Sequence, residues 1–425
     1  MLHALRDDFT MVVFPLGLVP VFAEKHDAPV MVVLFQQRLK MYDVDLAKVV
    51  SWTTDEGGAA PKIAELMKVT EIHCASHLLN TALSHAHRGV TLLFPLIGDV
   101  LATCKYFASM FNHSTQFKER LLATMLDTDG PIKGLVQHVV TRWNSLLNCM
   151  RSVQDAKPTL KRWVGQNALD PNAQSISNPR GPFWPLLEAM IYMYGLFEEA
   201  QVAMSADTTP TLHLVVFSFH DIIARLREYP IHLPKLEEHA AWPVVNPCCQ
   251  SLVEHMIEAL KSKLRPFDDA ELIANALSPL HKCVNGASFA DWNADLTKGY
   301  ELISTEAAKI AAQAPATDTD SDDEMEVEVV PDPRAKKGGL SAHFVNPAVN
   351  SVVDEMERLR TANLPKGMTV QVWWSNNCKS FPTLSILAHR IFCIPASSTS
   401  SERYFSAAGL IATRLRGIWT LTSWT

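Results

Sequence analysis

Apolar and polar positions along the first hundred residues alternate between two periods, and the alternation predicts short strands separated by helices. Val12 to Val21 is an apolar run broken by Pro15 and Pro20, which suits an edge strand or two short ones. From His26 to Met41 the apolar positions Val30, Val33, Leu34 and Leu39 fall roughly on one side of a helix. Val49 to Thr54 reads as a short strand that stops at Asp55-Glu56-Gly57-Gly58. Val69 to His73 reads as a second, passing straight into a helix at Ala75. Strand, helix, strand, helix at this density implies an α/β unit over residues 1–80.

From about 81 to 312 the pattern turns helical, with long stretches at Trp184 to Ala203, Leu212 to Glu228 and Leu252 to Leu264. Residues 313–340 break it. Seven acids and no base lie between Asp318 and Glu328, with Pro315, Pro331, Pro333 and Gly338-Gly339 around them. Such a segment buries too little apolar surface to fold and is expected to be a disordered acidic linker. Helical periodicity returns over 341–425, around Trp373, Trp374, Phe381 and Leu384 to Ile391.

Charge sharpens this division. The chain has 38 Lys+Arg against 45 Asp+Glu, so its net charge of −7 equals the seven acids of the linker and the remainder is neutral. No global basic footprint points to nucleic acid, and any such function must rest on local features. The most basic stretch is 101–165, with nine bases against four acids and the Arg142-Trp143 pair inside it. Cations beside an indole are what backbone contact plus base stacking need; a core indole on an amphipathic helix is the structural alternative. Eight cysteines without a C-x-x-C pair suggest reduced thiols rather than a disulfide framework. No apolar run reaches the ~18 residues of a membrane span.

Two further constellations stand out. Cys74-x-x-His77 has the spacing of half a zinc site, but no second half lies nearby, so a strand-to-helix junction with a packed thiol and imidazole is preferred. Near the end, Thr399-x-x-Glu402 has capping-box spacing, and Phe405, Ala408, Ala412 and Leu415 then recur at helical intervals as one narrow apolar face.

The string IPASSTSSERYFSAAG at 394–409, preceded by Trp373-Trp374 and by FPTLSILA at 381–388, resembles the C-terminal dimerisation region of hAT-superfamily transposases. Weaker likenesses follow in the family's order: Thr54 to Ala59 with Asp55, Cys74 to Asn80, Thr141 to Ser145, Met204-Ser205 to Leu212, and Ala276 to Pro279. The resemblance implies an RNase H-like α/β domain, N-terminally truncated. It would be interrupted by a large all-α insertion (81–312) and completed by the C-terminal helical dimerisation region (341–425). In such enzymes three carboxylates hold two divalent metals for phosphoryl transfer. Asp55 matches the second and Glu402 the third.

The first carboxylate has no match: Asp7 and Asp8 lack a strand-then-carboxylate setting, and the family's zinc finger and closing helix have no counterpart here. The expectation is therefore a protein truncated at both ends and without catalysis, needing Mg2+ or Mn2+ only if active. Its partners would be a second copy of itself and DNA, in the nucleus, with no membrane. Trp143 and Arg142 would contact DNA, and Trp373, Trp374, Phe381, Phe405, Ala408, Ala412 and Leu415 would dimerise. The alternatives are a working transposase using Asp7 or Asp8, and a dimerising scaffold with no nucleic-acid role.

Overall fold

The computed structural model describes residues 1–17, 27–55, 57–126, 134–139, 144–166, 176–178, 180–281, 290–313 and 352–415. The chain is mostly helical with two small sheets. Strands β1 (Leu2–Leu5) and β2 (Met11–Phe14) form an antiparallel hairpin. Helix α1 (Ala28–Met41) is capped by Asp27, whose carboxylate accepts from Val30 N at 3.2 Å. Strand β3 (Ser51–Thr54) then pairs in parallel with β4 (Thr70–His73) through the crossover helix α2 (Ala60–Met67). Both sheets have two strands, and no described strand joins them. The expected apolar strand is shorter than its run: β2 ends at Phe14, and residues 18–26 lie outside the described part.

Helix α3 (Ala75–Leu93) leaves β4 directly and runs through the expected boundary at residue 80. It is followed by α4 (Pro95–His113), α5 (Thr115–Leu126), α6 (Ser145–Asp155) and α7 (Lys157–Gln166). Then come α8 (Phe183–Met204), α9 (Leu214–Arg227), and the short α10 (Tyr229–His232) and α11 (Pro234–Glu237). Helices α12 (Trp242–Leu264), α13 (Asp269–Leu277) and α14 (Ala290–Gln313) complete this body. Helix α8 is apolar all round and mostly buried, as a helix at the centre of a bundle should be. Where α14 crosses α13 a glycine is required: a Cβ on Gly299 would fall 2.5 Å from the Leu272 carbonyl oxygen. No single described helix is long and apolar enough to cross a membrane. The acidic linker lies outside the described residues, except Gln313 at the end of α14.

The C-terminal part adds α15 (Val352–Thr361), α16 (Val370–Asn377), α17 (Pro382–Phe392) and α18 (Thr399–Leu415). Glu355 and Arg358, one turn apart on α15, clamp the corner that opens α17. The fully buried Glu355 carboxylate accepts from Thr383 N at 3.1 Å and Leu384 N at 2.8 Å. Arg358 donates to the Ser380 carbonyl at 2.8 Å and lies over the Phe381 ring.

Here one expectation is corrected. Trp373, Trp374 and Phe381 are buried within the chain and offer no surface to a second copy. Trp374 donates its indole N–H to the Leu277 carbonyl at 3.2 Å and packs against Phe381 and Phe9. An indole that finds a backbone acceptor inside its own chain gains both the apolar burial and the hydrogen bond there. The cluster is a seal joining α13, α17 and the β1–β2 turn. With it, one continuous core runs from Phe9 to Ala396.

Candidate functional site

The two resembling motifs meet at one corner. Asp55 follows directly on β3, and Cys74 on β4, where Cys74 N donates to the Thr54 carbonyl at 2.6 Å. The segment 395–398 lies across both strand ends. Thr53 Oγ1 donates to the Pro395 carbonyl at 3.1 Å, Ala75 N to the Ala396 carbonyl at 2.9 Å, and Ser398 N to Cys74 Sγ at 3.3 Å. Ser398 Oγ in turn bonds Glu402 Oε1 at 3.1 Å. Asp55 at the strand end and Glu402 on the first turn of α18, 347 positions apart in sequence, therefore belong to the same corner. Both are solvent-exposed.

The capping-box reading shifts by one residue. Ser398, not Thr399, precedes α18 and engages Glu402. The Thr399 hydroxyl is taken instead by Ser205 Oγ at 3.2 Å and Ser397 Oγ at 3.0 Å. Tertiary partners won over the local cap.

These partners come from the C-terminal end of α8. Ser397 Oγ donates to the Met204 carbonyl, Thr211 Oγ1 accepts from Ala396 N, and Ser400 Oγ bonds Asp207. Arg403 pairs with Asp207 at 2.6 Å and donates to the Ser205 carbonyl at 2.9 Å. Burial pushes the Asp207 carboxyl up, but the bonds from Ser400 and Arg403 outweigh it and leave it below the usual range. His3 on β1 lies within reach of the Asp207 charge; burial first, then the chain's amino terminus, hold its imidazole at about 4. The Met204-Ser205 to Leu212 likeness thus acquires a physical reason: it is the dock for the 396–403 segment. Sequence reasoning assigned no role to Asp207, Ser400 or Arg403, because only the fold brings them together.

Asp7 and Asp8 occupy the opposite end of the β1–β2 hairpin. Asp8 Oδ1 accepts from Thr10 N at 2.9 Å, closing the turn. Phe9, buried with φ of 62°, has its ring centre 3.9 Å from that of His389, whose pKa burial lowers against a backbone hydrogen bond with Asp7 and the charges of Asp7 and Asp8. The turn faces α17, while His3 faces Asp207. Among the described residues, no group of three His, Cys, Asp or Glu side chains could hold a metal ion. Asp207 is committed to Arg403 and Ser400. Cys74 is fully buried and accepts the Ser398 N–H, whereas His77 is only half-buried. The seven cysteines among the described residues are free thiols.

Arg142 and Trp143 lie outside the described residues. Their flanks are pinned together: Ser145 Oγ accepts from Val139 N at 3.1 Å, donates to its carbonyl at 2.7 Å, and lies 2.9 Å from His138 Nδ1.

Beyond its first turn α18 is largely exposed as far as Gly409, with Tyr404 half-buried. Glu402, Arg403, Phe405, Ser406, Ala407 and Gly409 are exposed and Ala408 is half-exposed; Phe405 is 62% accessible. Ala412 and Leu415 continue the helix, which at seventeen residues spans ~25 Å. Residues 349–417 match the hAT family C-terminal dimerisation region, which takes in all of α15 to α18. No curated protein matches the chain.

Proposed function

We infer from the match over 349–417 that the chain is of hAT-transposase descent. From that premise we propose that it acts as a non-catalytic, self-associating DNA-binding protein of the nucleus, pairing with a second copy through α18. The observation that carries the pairing is the exposure of α18 over Phe405 to Gly409. An isolated helix of about 12–15 residues is marginal in water, and tertiary packing of an apolar face normally supplies its stability. From Phe405 to Gly409 only Ala408 is half-buried and the rest is exposed, while in sequence Phe405, Ala408, Ala412 and Leu415 recur at helical intervals as an apolar stripe.

The corner built from β3, β4, the 395–398 segment and α18 supports reading the α/β part as RNase H-like. Loss of catalysis is supported by the hairpin. Its start lies beside Asp207, and its turn, with Asp7 and Asp8, packs on His389, so neither aspartate is aimed at the Asp55–Glu402 corner. The local excess of bases over 101–165 supports DNA as a partner.

Sedimentation of the purified chain tests the pairing. In a two-fold interface one substitution acts twice. Losing two buried Phe side chains removes ~3–6 kcal/mol, so Phe405→Asp should weaken association by ~100-fold or more. A wild-type chain that stays monomeric at high micromolar concentration rejects the reading.

A further inference from the structure

Two ammonium groups share one indole on the helical body. Lys157 and Lys161, one turn apart on α7, place their Nζ atoms 5.1 Å and 5.9 Å from the centre of the Trp184 ring. Trp184 itself is 2% exposed and donates its N–H to the Ile176 carbonyl at 3.1 Å, so the ring is a fixed floor. One cation over a ring is an ordinary lid, and the lysine stems cover apolar surface. A second cation on the same ring adds like-charge repulsion that a merely structural lid does not need. No carboxylate among the described residues pairs with either lysine. Glu188 acts only through space on Lys157, whose pKa is lowered by burial and by Lys161. Along the sequence the described residues of 101–166 hold seven bases against Glu119 and Asp155, while from α8 Glu198 pairs with Arg151.

We propose that Lys157 and Lys161, side by side over Trp184, form a seat for the phosphate backbone of a nucleic acid. The occupant follows from the charge. Both ammoniums converge on one ring with no carboxylate partner among the described residues, so the site favours repeated negative charge. A regular polyanion meets both ammoniums at once, while a single carboxylate side chain meets one. The seat rests on the DNA-binding reading above and is independent of Arg142 and Trp143.

The test is the salt dependence of binding to a random-sequence DNA duplex between 50 and 200 mM salt. Wild type is compared with Lys157→Gln, Lys161→Gln and the double variant, which keep much of the stem over the ring. Each phosphate contact adds ~0.9 to the slope of log K against log salt. Across this fourfold range the wild type should lose ~12-fold more affinity than the double variant, with each single variant between them and circular dichroism unchanged. A wild-type chain that binds with a slope the double variant reproduces overturns the seat and leaves DNA binding standing. A wild-type chain that fails to bind DNA even at 50 mM salt overturns both.

Discussion

Glu355 is the residue whose removal should damage the C-terminal region most for its size. Helix α17 opens with Pro382, which has no N–H, and Phe381 before it supplies no side-chain cap. The first donors needing a partner are therefore Thr383 N and Leu384 N, and both point at the Glu355 carboxylate from a different helix. Replacing Glu355 by alanine strands a buried and a half-buried N–H, at about 1–3 kcal/mol each, and removes a negative charge from a helix N-terminus, worth roughly 0.3–1 kcal/mol. Water entering the vacated space offsets part of this, so Glu355→Ala should lose about 3–4 kcal/mol. Glu355→Gln keeps one acceptor oxygen and should lose about 1–2 kcal/mol. Urea denaturation decides it, read as a shift in midpoint at constant slope. An alanine variant within ~1 kcal/mol of wild type, or a glutamine variant as damaged as alanine, would refute the remote cap.

Other consequences are equally direct. Gly299→Ala should destabilise by roughly 2–3 kcal/mol in a thermal melt. The helix-propensity gain is only ~1 kcal/mol, whereas the new Cβ meets the Leu272 backbone oxygen at 2.5 Å; a stabilised variant would mean that α13 and α14 can separate freely. Glu271 is buried, and desolvation first, then the Asp268 charge, raise its carboxyl from 4.5 to about 8. Between those values the folded state binds the extra proton, so stability contributed by the neutral form is lost as pH rises through the window, by a few kcal/mol. Urea midpoints for wild type and Glu271→Gln should therefore diverge from pH 5 to pH 8.5 in favour of the variant, and a gap constant with pH would contradict the assignment.

The elements that could be read from the chain are those whose signal is local. Ser51–Thr54 and Thr70–His73 carry β-rich runs with sharp stops, and Phe183–Met204 is apolar enough to be helical at sight. What failed depended on partners far away in sequence. Trp373, Trp374 and Phe381 look like an exposed sticky cluster until Leu277 and Phe9 arrive to cover them. Thr399 looks like a cap until Ser205 takes its hydroxyl. Glu355 sits in a run of charges, DEMER, that reads as a solvated face, and nothing local says that its carboxylate closes a helix 28 residues on. Asp207 and Arg403 are ordinary surface residues in sequence, and 196 positions separate the ion pair they make.

The central claim is that α18 holds its helix by pairing with a second copy. Amide hydrogen exchange resolved to residues 402–415, followed as a function of protein concentration, tests it most directly. Strong protection at high concentration should fade on dilution and in Phe405→Asp, while protection in Pro382–Phe392 stays unchanged. Exchange in α18 that is the same at every concentration, fast or slow, would contradict the account.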